Sequence, residues 1–282
     1  MKPTLSVIIV AKNAEKTIEK CLSSVVFADE IIVFDSGSTD NTVTLCQRYT
    51  KHVTQTDWPG HGIQRNRALE KATGDWVFSI DADEWVDDVL KNEIICTIHN
   101  PSALVFSLRR RNRYCGQWMR FGDVGKDTVT RLFKRGIAKY NDDIVHEKLL
   151  TTEKKMRLKN YLLHDTYTSI EALLDRMNRY SSESALMRFQ RGKKTNVFAA
   201  AISAAWIFLR AYILRWGFLD GKMGYVVAAT AAHSSFYRHV KLICLCSVTQ
   251  LALDAAQASE PKECTSEYMT SANELATKYK AK

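Results

Sequence analysis

Three short runs of nearly unbroken apolar residues mark the first 81 positions: Leu5-Ser6-Val7-Ile8-Ile9-Val10-Ala11, Ile31-Ile32-Val33-Phe34 and Trp76-Val77-Phe78-Ser79-Ile80. Alternation is almost absent and each run is too short for a core helix. Each therefore predicts a strand covered on both faces, as in a sheet layered by helices. Polar turns lead from them into segments with helical spacing, Thr17 to Val25 with Ile18 and Leu22 inward, one beginning near Thr42, and Ile63 to Ala72. Gly74 is placed as the stop of the last. With a weaker strand at His52-Val53, four successive strand and helix pairs predict a doubly wound, mostly parallel, Rossmann-like α/β sheet.

From Ala103 the pattern changes to alternation, with Leu104, Phe106 and Leu108, then Val129, Leu132 and Phe133. This predicts mixed or antiparallel strands that continue the sheet, separated by a loop from Gly116 to Gly125. From Ser169 the spacing turns helical, and Ile170, Leu173, Leu174, Met177 and Tyr180 line one predicted helix face. The longest apolar stretch, Val197 to Leu209, falls short of the roughly 20 residues that span a bilayer, so no transmembrane helix is expected. Aromatic Trp206, Phe208, Tyr212 and Trp216 alternate there with Arg210 and Arg215, which describes an interfacial helix on an anionic membrane surface, the alternatives being a buried helix of an all-α subdomain or a dimer interface. The expected units are residues 1–168, a helical region 169–258 and a polar tail 259–282.

The chain has 282 residues, 46% of them hydrophobic, enough for a large core. Its net charge of +9 implies an anionic partner without choosing one. Seven scattered cysteines, with no Cys-x-x-Cys pair, are read as reduced thiols of a cytoplasmic protein.

Candidate chemistry gathers where the Trp76 strand ends in Asp81, Asp83 and Glu84. Carboxylates directly after a buried strand lie at the carboxyl edge of the sheet, where open α/β sheets bind ligands. Asp81 and Asp83 are two apart, so in extended chain they point the same way and could share a hard cation. Asp35 falls at the same edge. Basic Arg65 and Arg67 stand in the first turns of a helix, against its dipole, and imply an anion nearby. No Gly-x-Gly-x-x-Gly follows the first strand and no Gly-x-x-x-x-Gly-Lys-Ser/Thr loop occurs, which weighs against dinucleotide oxidoreductases, methyltransferases and P-loop NTPases. The run Arg109-Arg110-Arg111-Asn112-Arg113 reads either as a solvated face or as a phosphate-recognising one.

Three ordered motifs, Ser6 to Asn13, Asp35-Ser36-Gly37-Ser38-Thr39-Asp40 and Gly74-Asp75-Trp76 to Asp81-Ala82-Asp83-Glu84, together resemble the GT-A fold, family 2 inverting glycosyltransferases. Within them, Gln64-Arg65-Asn66-Arg67-Ala68, Val145-His146-Glu147 and Gly217-Phe218-Leu219-Asp220-Gly221 are similar to bacterial lipopolysaccharide core glucosyltransferases acting on inner-core heptose. The resemblance extends to about Lys241. It implies a UDP-sugar donor, with Asp35 on the uracil, Ala11 and Asn13 lining the base, Asp81 and Ala82 near the ribose or metal, and Arg65 on phosphate or sugar. It further implies Mg²⁺ or Mn²⁺ on Asp83, with His164 as a second ligand, and Glu147 as the base, Asp143 being its rival. Arg111, Arg113 and Trp118 are expected at a lipid-linked saccharide acceptor, and nucleic acid is not an expected partner. Transfer of a hexose, glucose first, to an inner-core sugar is the expected reaction. A related transferase acting on another envelope glycan or a polyprenyl phosphate, or a non-catalytic UDP-sugar binder, are the alternatives.

Overall fold

The computed structural model of this chain describes residues 2–141 and 148–257. The described residues fall into two compact units, one of residues 2–119 with 124–141 and 148–166, the other of residues 120–123 with 167–257.

The first unit is built on a nine-stranded sheet in the order β3-β2-β1-β4-β8-β6-β11-β5, with β7 paired to β6. Its strands are β1 (Leu5–Ala11), β2 (Glu30–Asp35), β3 (His52–Gln55), β4 (Trp76–Asp81), β5 (Glu84–Trp85), β6 (Val105–Tyr114), β7 (Gln117–Trp118), β8 (Thr128–Lys134) and β11 (Lys155–Tyr167). Strands β1 to β4 run parallel, and β8 then joins β4 antiparallel, so the alternating segments after Ala103 continue the parallel sheet with antiparallel strands as expected. A separate ribbon pairs β9 (Lys139–Tyr140) with β10 (Leu149–Leu150).

The reason for the unbroken apolar runs is visible in the two cores. Leu5, Val7 and Ile9 pack on one face with Val33, Trp76, Phe78 and Ile80, under α1 (Ile18–Ser24) and α4 (Asp88–His99). Ile8, Ile32, Phe34 and Val77 pack on the other with Ala68 of α3 (His61–Lys71). With successive side chains on opposite faces, both sets must be apolar when both faces are covered.

Gly74 serves packing rather than capping. Helix α3 closes at Ala72, while a Cβ on Gly74 would stand 2.8 Å from both the backbone nitrogen and Oγ of Ser6. The glycine is there because β1 passes too close for any side chain.

The second unit carries α5 (Ile170–Gln190), α6 (Val197–Phe208) and α7 (Gly221–Gln257). Of the α5 residues expected to share a face, Leu173 is buried, whereas Ile170, Leu174 and Tyr180 are exposed. Helix α6 does not stop at Leu209. A π-helical turn carries it to Leu214, giving an 18-residue helix, mean hydropathy 1.9 and 11% buried, that is long and apolar enough to cross a membrane by length and composition. Within this continuation Arg210 pairs with Asp123 at 2.6 Å, and Arg215 just beyond it pairs with the same carboxylate.

Candidate active site

Strand β4 delivers Asp81 to the carboxyl edge of the sheet, and a tight turn then places Asp83 and Glu84 one after the other. The three carboxylates meet different surroundings.

Asp81 is saturated with cations. Its Oδ1 accepts from Arg65 Nη2 at 2.6 Å and its Oδ2 from Arg131. Burial opposes its charge, but Arg131, Arg65 and Arg110 outweigh this and hold its pKa far below the usual carboxylate range. Glu84 is wholly buried, accepting the Asp81 N–H at 2.9 Å through Oε2 and Arg110 and Arg131 at 3.0 Å through Oε1. Asp127 completes the network on Arg110 at 2.7 Å. This charge is spent on fixing the turn.

Asp83 is different, because its sole ion-pair partner among the described residues is His164, Nε2 lying 3.3 Å from Oδ2. The β11 strand brings it there, with His164 in register with Glu84 and the Asp165 N–H donating to the Asp83 carbonyl at 3.0 Å. On its other side the ring meets Asn112 Oδ1, 2.7 Å from Nδ1. Asn112 is itself oriented, since its amide nitrogen donates to the Val124 carbonyl at 2.9 Å. An oxygen facing Nδ1 requires the proton there, so the neutral ring turns a lone pair on Nε2 towards a carboxylate. Two acceptors facing each other need a cation between them, either a proton or a metal ion. Burial disfavours the protonated ring, yet its bond to Asp83 and the charges of Asp83 and Glu84 raise the His164 pKa overall. A divalent cation fits the same place, with one histidine whose other nitrogen is pinned and one carboxylate. Among the described residues no three His, Cys, Asp or Glu side chains converge on one point, so a cation here would complete its shell with substrate oxygens and water.

The other residues expected at the donor are brought to the same edge. Ala11 pairs with Asp35 across β1 and β2, and Ala82 is buried. Asp35 is buried and accepts the N–H groups of Gly37 and Ser38 at 3.0 and 2.9 Å, so its carboxylate shapes the turn after β2. Asn13, in a left-handed conformation at φ 49°, ties the first turn to the second by receiving the Thr39 N–H at 2.8 Å and donating its own to Ser38 Oγ.

The helix α3 residues that implied an anion all have protein partners. Gln64 reaches Ser36, Arg65 reaches Asp81, and Asn66 exchanges two hydrogen bonds with the Tyr140 backbone at 2.9 and 2.8 Å. Arg67 reaches Asp57 at 2.6 Å. Among the described residues, Asp81 and Asp57 are anions that answer these arginines.

Beside the Asp83 pair stands a ladder of cations and indoles. Lys20 Nζ lies 3.1 Å from the Trp85 ring, Arg113 lies 5.3 and 5.4 Å from Trp85 and Trp118, and Arg111 lies 5.0 Å from Trp118. Asp165 holds Arg113 at 2.5 Å and Lys20 at 3.6 Å. Burial, joined by the Arg113 charge, lowers the Lys20 pKa despite Asp165. The sequence pattern points to Arg111, Arg113 and Trp118 but not to Lys20, Trp85, Asn112 and Asp165. The period of two along β6 is the one local signal, since it separates Arg110 and Asn112 from Arg109, Arg111 and Arg113.

Glu147 and Asp143 lie outside the described residues. The chain on either side is held by β9 and β10, with Asn141 and Lys148 joined by hydrogen bonds of 3.0 and 2.7 Å. Residues 120–123, from the loop Gly116 to Gly125, belong to the second unit, where Asp220 accepts the N–H groups of Arg120 and Phe121 at 3.1 and 2.9 Å.

The family model of glycosyl transferase family 2 matches residues 6–165. An uncharacterized glycosyltransferase of Rickettsia prowazekii is 32% identical over 251 residues, covering 84% of this chain and 86% of its own. The lipopolysaccharide core biosynthesis glycosyltransferase LpsC of Rhizobium meliloti is 28% identical over 249 residues, covering 86% and 92%. Among solved structures, residues 1–349 of S. aureus TarS superpose with a TM-score of 0.44 at 19% identity, covering 84% and 90%.

Proposed function

The chain belongs to glycosyl transferase family 2, and from that premise we propose that it moves a hexose, glucose first, from a UDP-sugar to an inner-core sugar of lipopolysaccharide. The observation that carries the reading is the Asp83 and His164 pair at the carboxyl edge of β4, with the histidine proton fixed on the far side by Asn112.

Asp83 and His164 would hold Mg²⁺ or Mn²⁺, which when bound offsets charge on a departing diphosphate. Asp35, Ala11 and Asn13 would take the uridine at the neighbouring turns, and Asp81 and Ala82 the ribose side. Arg65 is assigned to positioning, because its guanidinium already holds Asp81. Inversion requires a base that takes the acceptor hydroxyl proton as its oxygen attacks the anomeric carbon opposite the leaving UDP, and Glu147 is the proposed base.

The indole and cation ladder suits a charged saccharide acceptor. Trp85 and Trp118 offer faces for sugar rings, and Lys20, Arg111 and Arg113 offer partners for phosphate or carboxylate. The LpsC likeness supports a lipopolysaccharide core acceptor.

An acceptor anchored in lipid requires an enzyme at the membrane. Phe198, Ile202, Trp206, Leu209 and Ile213 form one exposed stripe at helical spacing, while Ala200 is buried and Ser203 bonds Ser235 of α7 at 2.8 Å. A helix packed on one face and bare on the other belongs in the interfacial plane, so α6 is assigned to peripheral attachment at the cytoplasmic leaflet.

Incubation with UDP-glucose and a heptose-containing core oligosaccharide tests the reading. Acceptor-dependent release of UDP is the expected result. Release unaffected by acceptor, or no turnover with any UDP-sugar, would contradict it.

A further inference from the structure

The helical unit carries an excess of positive charge, much of it without a carboxylate partner among the described residues. From Ser184 to Leu253 there are nine Lys and Arg residues against one acid, Asp220, which is engaged by the backbone of Arg120 and Phe121. Arg210 and Arg215 close on Asp123. The other seven have no carboxylate at ion-pair distance among the described residues.

Two of these seven are gathered with a histidine. Arg238 of α7 donates through Nη2 to Ser235 Oγ at 3.0 Å, and its Nε is buried with no acceptor. Next to it, His239 Nδ1 meets Thr195 Oγ1 at 2.6 Å, just before α6. Burial lowers the pKa of both Arg238 and His239, and the charge of Arg188 on α5 lowers both further. One turn on, Lys241 Nζ is met by neutral oxygens alone, from Asn178, Ser181 and Ser182 at 2.6 to 2.9 Å.

Guanidinium groups do not deprotonate, so Arg238, half-buried with an Nε–H that meets no acceptor, keeps its charge and suits an anionic partner. A guanidinium fork with an orphaned Nε–H matches the oxygens of a phosphate. The cluster adjoins the turn Arg191 to Asn196, which brings Lys193 and Lys194 to the start of α6, where the exposed apolar stripe begins with Val197 and Phe198. Phosphate next to an apolar stripe is the chemistry of a lipid headgroup above its acyl chains.

We propose that Arg188, Arg238 and Thr195, with His239 beside them, form a binding site for the phosphate headgroup of an anionic lipid. The site rests on the reading of α6 as a membrane-attached helix and adds to it a contact of defined geometry.

Flotation of the full chain with vesicles of phosphatidylcholine, alone or mixed with phosphatidylglycerol, tests both layers. Phe198→Ser with Ile202→Ser is expected to weaken binding to both vesicles. Arg188→Gln with Arg238→Gln should spare the neutral vesicles and lose the anionic preference by about 25-fold, about fivefold per charge. Lys193→Gln with Lys194→Gln removes the same charge from exposed positions. At about 1 M salt, where the Debye length is about 3 Å, that lysine variant should match wild type while the arginine variant remains weaker. Arg238→Lys keeps the charge without the fork and should behave like the arginine variant at high salt. Equal losses in the two double variants at both salt levels would overturn the site in favour of diffuse charge. Wild type that floats with neither vesicle would overturn the membrane reading itself. Stabilisation of wild type, but not the arginine variant, by inorganic phosphate without any preference for anionic vesicles would assign the site to a soluble phosphate and overturn the lipid.

Discussion

Arg65 and Asp81 are joined at 2.6 Å between the second turn of α3 and the last residue of β4, with the arginine side chain only 6% exposed. An arginine in a helix's early turns is unfavourable on its own, and here the end of the neighbouring strand compensates it. Removing one partner of a buried pair leaves the other uncompensated, although Arg131 would still hold Asp81. Arg65→Met is therefore expected to cost about 2–4 kcal/mol in denaturant unfolding. Arg67→Met, which breaks the more exposed pair with Asp57, should leave the unfolding midpoint nearly unchanged. Equal losses would show that the Asp81 network is not what fixes the turn.

Gly74→Ala places a methyl group 2.8 Å from Ser6 N and Oγ, so β1 or the turn must shift. A loss of about 1–3 kcal/mol is expected in thermal or denaturant melts. Adding Ser6→Ala should fail to rescue it, because the backbone nitrogen stays in place. Full rescue would mean that the hydroxyl alone makes the site tight.

Glu30 accepts from Ser6 Oγ at 2.6 Å and from the Thr73 N–H at 3.0 Å. Burial pushes its pKa up, but these bonds outweigh it and leave it below the usual glutamate value. Its stabilising contribution is thus complete above the unfolded pKa of about 4.3 and is lost as pH falls through the lower folded value. Glu30→Gln should be less stable than wild type at neutral pH, on the order of 1 kcal/mol, with the gap closing in acid. A gap that is constant across this range would contradict the linkage.

The parallel strands are legible in the sequence because burial on both faces forces near-continuous apolar runs, and the carboxylates at the end of β4 are legible because they interrupt such a run. Partners distant in sequence are not. Asn66 bonds Tyr140 across 74 positions, and Asn112 reaches His164 across 52, so nothing local marks either pair. Arg210 closes the apolar pattern of α6 in the sequence, since a charge ends such a pattern; the carboxylate that neutralises it lies 87 residues earlier. The role of residues 120–123 is hidden for the same reason, their partners Arg210, Arg215 and Asp220 lying 87 to 100 residues downstream.

Trp118 lies within 5.0 and 5.4 Å of two arginines and 5.8 Å from Trp85. If this ladder holds the acceptor, Trp118→Ala should raise the acceptor KM roughly tenfold and leave UDP-sugar affinity unchanged. Steady-state kinetics with separately varied donor and acceptor read the difference. Loss of donor affinity with an unchanged acceptor KM would move the acceptor elsewhere.

The proposed reaction stands or falls with Asp83 and His164 as a metal-dependent donor site. Calorimetric titration of UDP-glucose, UDP-galactose, UDP-N-acetylglucosamine and GDP-mannose, with and without Mn²⁺, on wild type and Asp83→Asn, addresses that pair alone. Mn²⁺-dependent binding of one UDP-sugar is expected, abolished by Asp83→Asn while the melting curve is retained. Binding of that sugar with equal affinity in the variant, or without Mn²⁺, would contradict it.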